Sequence, residues 1–307
     1  MEEKLGINVV DKASEVLGRL NKLRERAQEL MSDKEFMSYI ESRFAKADEE
    51  TVKKVILDTA SHVFGNCLVS LALTGGDERV EKIKGLLEKH WWVLNAYKRA
   101  SVMTRLMLNA LLRPRGELSS ELEGKLSVNP EELIGAFGYE MKDEFLPALM
   151  VAFGVIKPEV GIKLCEVFND EDCVDSVLAV KGDSAAVKQL RDRLINAFQG
   201  ALIGRLISFR ELGVDANEFR GLVDGLDGKS LVQLIAPETS IARLALMLRA
   251  LINGDERLAK AHALYGAMSS TGSKLLTRLF LEAYKACCDL KNDEFRRAVA
   301  RLFFYHV

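Results

Sequence analysis

The stretch "LINGDERLAKAHALYG", residues 251–266, decides the fold because it holds a helix end and a helix start within a few residues. Gly254 can take the left-handed conformation that closes one helix, and Asp255 can accept from the free amides that open the next. Such a joint turns a helix back along its predecessor. The stretch has an echo in "LTGGDERVEKIKGLL", residues 73–87, and a fainter one in "VKGDSAAVKQL", residues 180–190. Gly76, Gly182 and Gly254 are separated by 106 and 72 residues. Those intervals lie close to three and two units of about 35 residues, the size of a two-helix repeat. Turn-like "RPRG" and "GVDANEF" fall near two of the skipped positions, and Asn292 in "LKNDEFRRAVARLF" adds a joint 38 residues after Gly254.

Outward from these joints, apolar residues recur three or four apart along almost the whole chain, the period of a helix with one buried face. Near the amino end Val9, Val10, Ala13, Val16, Leu17, Leu20, Leu23, Ala27 and Leu30 make such a stripe, followed by "KEFMSYIESRF" and "EETVKKVILDTASHVFGNCLVSLAL". No run of strict alternation and no hairpin signal suggests a sheet. The expected fold is all-α: stacked antiparallel helical hairpins, as an α-solenoid or an array of helical bundles. Helix starts are marked chemically, by Asn129 before Pro130, Glu131 and Glu132, and by Thr239 or Ser240 in "PETSIARLALMLRAL". At 307 residues the chain exceeds what one core usually organises. The least helical connection, residues 113–129, divides an expected amino-terminal bundle, 1–112, from a carboxy-terminal repeat domain, 130–307.

Composition narrows the function classes. With 48% hydrophobic and 29% charged residues and five prolines, the chain is built to fold throughout. A net charge of -2 gives no global field for gripping nucleic-acid backbone. The longest apolar run, "FLPALMVAFGVI" at 145–156, is too short to span a bilayer and reads as a buried helix. Without a signal-peptide pattern at the amino end, the expected location is cytoplasmic. The five cysteines, Cys67, Cys165, Cys173, Cys287 and Cys288, match neither a zinc site nor a disulfide framework and read as small buried thiols. Glutamine is limited to Gln28, Gln189, Gln199 and Gln233 while Glu, Lys and Arg abound, a bias typical of thermophiles.

"NGDERLAKAHALY" and "KNDEFRRAVARLF" resemble the turn and second helix of tetratricopeptide repeats, with Ala259 and Ala298 at or near the small-residue position. The aromatic, Leu-Gly and closing proline positions of that repeat do not match, and Glu81 stands where the copy at Gly76 would need alanine. The last third of the chain is also similar to the helical-repeat arms of archaeal signal-transducing NTPases, here without the NTPase module. The resemblance implies helix-hairpin stacking and no particular activity.

Candidate chemistry is sparse. "GLDGKSLVQLI", residues 225–235, holds Gly228-Lys229-Ser230, but Val223 occupies the place of the earlier P-loop glycine, and "GAMSSTGSK" has its Ser and Lys in the wrong order. His62, His90, His262 and His306 are scattered without metal-ligand spacing, so neither metal nor cofactor is expected. Arg257 with His262, and Arg301 with His306, share the arginine-to-histidine spacing of HEPN ribonucleases, which are similarly helical. That likeness implies metal-independent RNA cleavage, Arg stabilising the phosphate and His moving a proton. On one straight helix such a pair points about 140° apart. In "KHWWVLNAYKRASVMTRL", residues 89–106, Trp92, Asn95 and Arg99 read as one helical face, with Lys98, Arg105, Arg113 and Arg115 adding positive charge. Indoles stack on unpaired bases and also anchor protein interfaces. The preferred expectation is a non-enzymatic interaction or regulatory module that binds a protein partner through Trp91, Trp92, Asn95, Arg99 and Arg105. The alternatives are a single-stranded nucleic-acid-binding protein and a HEPN-like ribonuclease.

Overall fold

The computed structural model describes residues 49–74, 76–115, 118–168, 170–205, 213–214, 216–270 and 273–306. The apolar stripe between Val9 and Leu30 and the "KEFMSYIESRF" segment lie outside the described residues. What is described is all-α, with no strand.

Three helices come first: α1 (Glu49–Thr74), α2 (Asp77–Leu94) and α3 (Lys98–Leu112). After two short helices, α4 (Ser120–Leu126) and α5 (Pro130–Phe137), come α6 (Leu146–Ala152), α7 (Pro158–Phe168), α8 (Glu171–Lys181), α9 (Ser184–Arg205), α10 (Ala216–Asp224) and α11 (Gly228–Ile235). The last four are α12 (Ser240–Ile252), α13 (Glu256–Ser269), α14 (Lys274–Ala286) and α15 (Asp293–His306). Neighbours from α12 to α15 pack pairwise, as do α7 with α8 and α8 with α9.

Two of the Gly-Asp joints work as their chemistry predicts. Gly182 and Gly254 sit at φ +93° and +76°, where only glycine is unstrained. At each, the glycine N–H donates to the carbonyl three residues back (3.0 and 3.1 Å), and the following aspartate N–H donates to the one five back (3.1 and 2.9 Å). The aspartate carboxylates then cap the next helices, Asp183 accepting from Ala186 and Asp255 from Leu258, both at 2.9 Å. The first echo differs. Gly76 is extended, at φ -92°, and is itself the residue before α2, so Asp77 opens the helix instead of capping it. Asn129 completes a reciprocal cap with Glu132, and Thr239 caps α12.

Packing centres on α3 and α12, which contact each other and are buried along most of their length. Helix α3 also touches α1, α5 and α15, so the hydrophobic core runs continuously across residues 113–129, where Arg113 Nη1 donates to the Ile252 carbonyl at 2.6 Å. An isolated antiparallel bridge, Met141 to Pro237, pins the loop before α6 to the start of α12. The apolar run at 145–156 forms α6, opened by Pro147 and closed at Gly154 with φ +73°. No helix among the described residues is long and apolar enough to cross a membrane.

The cysteines depart from the expectation of buried thiols. Cys165 and Cys173 are paired as a disulfide; the adjacent Cys287 and Cys288 stand side by side, and Cys67 is free. The first pair forms because the α7–α8 hairpin brings the two Cα atoms to 5.4 Å, a proximity that spacing along the chain does not reveal.

Gly228 is explained by packing. It opens α11 behind the Asp227 cap, and a Cβ there would run into the Ala179 carbonyl of α8. Gly228→Ala is expected to lower stability by about 2 kcal/mol in urea unfolding, as overpacking does. Gly135→Ala in α5, where a Cβ meets nothing, should raise it by up to ~1 kcal/mol. Equal effects would refute the close crossing of α8 and α11.

Candidate functional site

The run from Lys89 to Leu106 does not form one helix. α2 kinks at His90 (φ -125°, ψ 21°) and stops at Leu94; Asn95 closes it and α3 begins at Lys98. Trp92 and Arg99 therefore stand on different helices, and the single face read from their spacing is not formed. The kink seats His90 in the core, its ring edge-on to Phe64 with centroids 6.1 Å apart. Trp91 and Trp92 are both left half-buried.

Beyond this turn, one face of α3 carries Lys98, Ser101, Val102 and Arg105, one or two turns apart. It looks across at Glu131, Glu132 and Gly135 on α5, and with Asn95 these walls enclose a cleft of about 310 Å³. Arg105, only 5% exposed, forms its floor. Its Nη1 and Nη2 meet the two Glu132 carboxylate oxygens at 3.3 and 2.9 Å, and Nη1 also donates to the Ser127 carbonyl at 2.7 Å. The Trp91 ring lies 5.8 Å from the guanidinium carbon. Glu132 is held on both sides, since its carboxylate also accepts from the Asn129 N–H at 3.2 Å. Burial alone would raise its pKa, but the Arg105 and Asn129 hydrogen bonds and the charges of Arg105 and Lys98 outweigh that and keep it below the usual range. At the mouth, Ser101 donates to Asn95 Oδ1 at 3.1 Å, while Lys98, Glu131 and Asn95 are exposed.

Of the five residues expected to bind a partner, Asn95 and Arg105 line this cleft, and Trp91 lies against the Arg105 guanidinium without lining it. Arg99 turns to Glu140 (3.1 Å), which also accepts from the Thr239 hydroxyl at 2.7 Å. The nearby positive charge is thus largely engaged: Arg99 and Arg105 in ion pairs, Arg113 on a carbonyl. The role of Glu132 as counter-ion was not read from sequence. Its capping signal was visible, but its pairing with a residue 27 positions away was not.

The two Arg–His pairs do not converge. His262 is wholly buried beside Arg243, and burial with that positive charge drives its pKa well below the usual 6.5. Arg257 is exposed and lies over the Gly225 backbone, where a Cβ would collide with its guanidinium. Arg301 pairs with Glu282 at 2.9 Å, a carboxylate that Arg278 also reaches at 3.0 Å. His306 sits elsewhere. Arg296, earlier on α15, donates to the Ala72 and Leu73 carbonyls of α1 at 3.3 and 3.2 Å, so the two helices lie side by side there. Burial, reinforced by the Arg99 charge, lowers the His306 pKa to about 4. Gly228-Lys229-Ser230 opens α11 against α8, with no strand feeding it. Thr271 and Gly272 of the other near-motif lie outside the described residues, among which no three His, Cys, Asp or Glu side chains group to hold a metal ion.

No family model, curated protein or solved structure matches this chain.

His262 and His306 are neutral when folded and take up protons below about pH 6.5 when unfolded, so the unfolded chain binds more protons in that range. Their contribution is complete above pH 6.5 and is lost as pH falls, saturating for His306 near pH 4. The urea midpoint should therefore drop between pH 7 and pH 4.5, less so in His306→Gln. Glu132→Ala, which leaves Arg105 with the Ser127 carbonyl and solvent in place of a carboxylate and removes half a cap, should cost on the order of 1 kcal/mol at pH 7. A midpoint flat with pH, or a neutral Glu132→Ala, would contradict these assignments.

Proposed function

We propose that this chain is a helical interaction module of the stacked-hairpin, tetratricopeptide-like kind that holds a protein partner in the cleft between α3 and α5. The carrying observation is the cleft itself, a concave site with a fixed polar floor, an aromatic ring beside it and exposed charge of both signs at the mouth. An ion pair between a buried arginine and an exposed carboxylate that is also tied into a helix cap holds the walls in place, and a rigid concave surface loses little entropy when a partner settles in it. The pairwise packing of α12 to α15 supports the repeat reading, because such arrays present extended surfaces to partners. Lys98 and Glu131 are exposed at the mouth, Lys98 near the Glu132 carboxylate and Glu131 in the first turn of α5, where their charges can choose a partner.

The test uses the full chain carrying an affinity tag in its native cell extract. A defined protein should be recovered with the wild type and fall at least tenfold with Lys98→Glu or Glu131→Lys, both variants melting within about 2 °C of the parent. Recovery of RNA in place of protein, with a steep loss of binding as salt rises, would favour the single-stranded nucleic-acid reading. Capture indifferent to both substitutions would place the interface elsewhere.

A further inference from the structure

Helix α7 packs mainly on α6 and α8, and the side that meets them holds Gly161, Ile162 and Cys165. A Cβ on Gly161 would stand 2.8 Å from the Val151 side chain of α6, and Cys165 is bonded to Cys173 of α8. The opposite side carries Val160, Leu164 and Val167, which are 44, 36 and 78% exposed. Spacings of four and three place them in one ridge along the helix. No other helix among the described residues exposes more than two large apolar side chains. The outer face of a stacked helical array is ordinarily polar, and an apolar one is the kind that a neighbouring unit covers. Charge lies beside this ridge in a definite order. Lys163 and Glu166 flank it on the same side, three residues apart; both are exposed, and neither forms an ion pair with a described residue.

We infer that α7 is a self-association face, covered by α7 of a second copy of this chain that runs antiparallel to it about a two-fold axis at Leu164. Leu164 then meets Leu164 of the second copy, and Val160 lies beside Val167 of the second copy on either side of the axis, as an isologous contact requires. In an antiparallel pair each flank of one helix faces the same flank of the other. With a rise of about 1.5 Å per residue, Lys163 comes within about 2 Å, measured along the helix, of the level of Glu166 on the second copy. Symmetry repeats the pair in the opposite sense, so one short strip supplies both members of two ion pairs. Parallel pairing would instead set lysine against lysine and glutamate against glutamate, which the order of charges disfavours. The strip is thus complementary to itself, and that property points to a second copy as its occupant. A single helix of 11 residues makes a small interface, so the association belongs to the micromolar range and not to permanent dimers. None of the residues lining the α3–α5 cleft lies on α7, and the two sites can therefore fail or hold separately.

The experiment is sedimentation of the full chain from about 5 to about 500 µM, the span in which so small an interface would associate. The wild type should pass from monomer to dimer across this series, and Leu164→Glu should remain monomeric throughout. Lys163→Glu and Glu166→Lys each set like charges across the axis, and each should weaken the dimer at least about tenfold. The double variant, K163E with E166K, restores both ion pairs with their signs exchanged and should return the dimer to within about threefold of the wild type. All four substitutions lie on exposed positions, and circular dichroism and melting report that the fold is kept. A wild type that stays monomeric to the top of the series, or a dimer indifferent to Leu164→Glu, overturns the inference. So does a double variant no better than the single ones, because only a strip facing its own copy regains its pairing when both signs are exchanged. Should the chain stay monomeric while Leu164→Glu abolishes recovery of another protein from extract, the face belongs to that protein and the second copy is ruled out.

Discussion

A guanidinium placed under a helix face must be neutralised where it lies, and Arg105 is the constraint on which the centre of this molecule depends. Removing such a group from water costs several kcal/mol unless carboxylate and carbonyl oxygens replace the lost solvent. Glu132 and the Ser127 carbonyl supply them, and both lie at the approach to α5. Because Glu132 is also the third residue of the Asn129 cap, the ion pair and the helix start enforce one another. Orientation of α5 against α3 follows, and with it the walls of the cleft. Since α3 also packs on α1, α12 and α15, a shift at Arg105 would be felt in both halves of the chain.

The molecule solves the same problem a second way at Arg243, which is 2% exposed. No carboxylate is used there. Nη1 and Nη2 donate to the Leu234 and Pro237 carbonyls, both at 2.8 Å, at the negative end of α11, and the Tyr265 ring lies 4.3 Å from the guanidinium carbon. Burial lowers its pKa to about 10, which still leaves it charged at neutral pH. Burial, with this positive charge beside it, keeps His262 neutral, and its ring fills core volume. Arg243 joins α11, α12 and α13 as Arg105 joins α3 to α5. The difference lies in what remains at the surface: around Arg243 the fold closes, whereas above Arg105 it leaves a cleft.

Local chemistry was legible in the sequence where one segment suffices to specify it. The joints at Gly182 and Gly254 and the cap at Asn129 follow from residues a few positions apart, because backbone donors left open at a helix end must be met nearby, and helical periodicity accounts for the lack of strands among the described residues. At Gly76 the same two letters give a different turn, since the extended glycine and the position of α2 are settled by how α1 and α2 pack. Trp92 and Arg99 show the complementary error. Helical periodicity was carried through a turn at Asn95 that no proline announces, and it placed them on one face. The pairing of Arg105 with Glu132, of Arg99 with Glu140, and of Cys165 with Cys173 are products of three-dimensional register, and a single chain carries no local signal for them.

On the proposed reading, the division between paired and unpaired charge separates scaffold from recognition. Arginine heads that reach carboxylates or carbonyls from below the surface tie elements together, and removing a partner costs stability. Charges at the rim, on Lys98 and Glu131, are exposed and act on the fold only through solvent-screened interactions. α3 thus joins a buried face that anchors the core to a first turn without a side-chain cap beside the opening of the cleft.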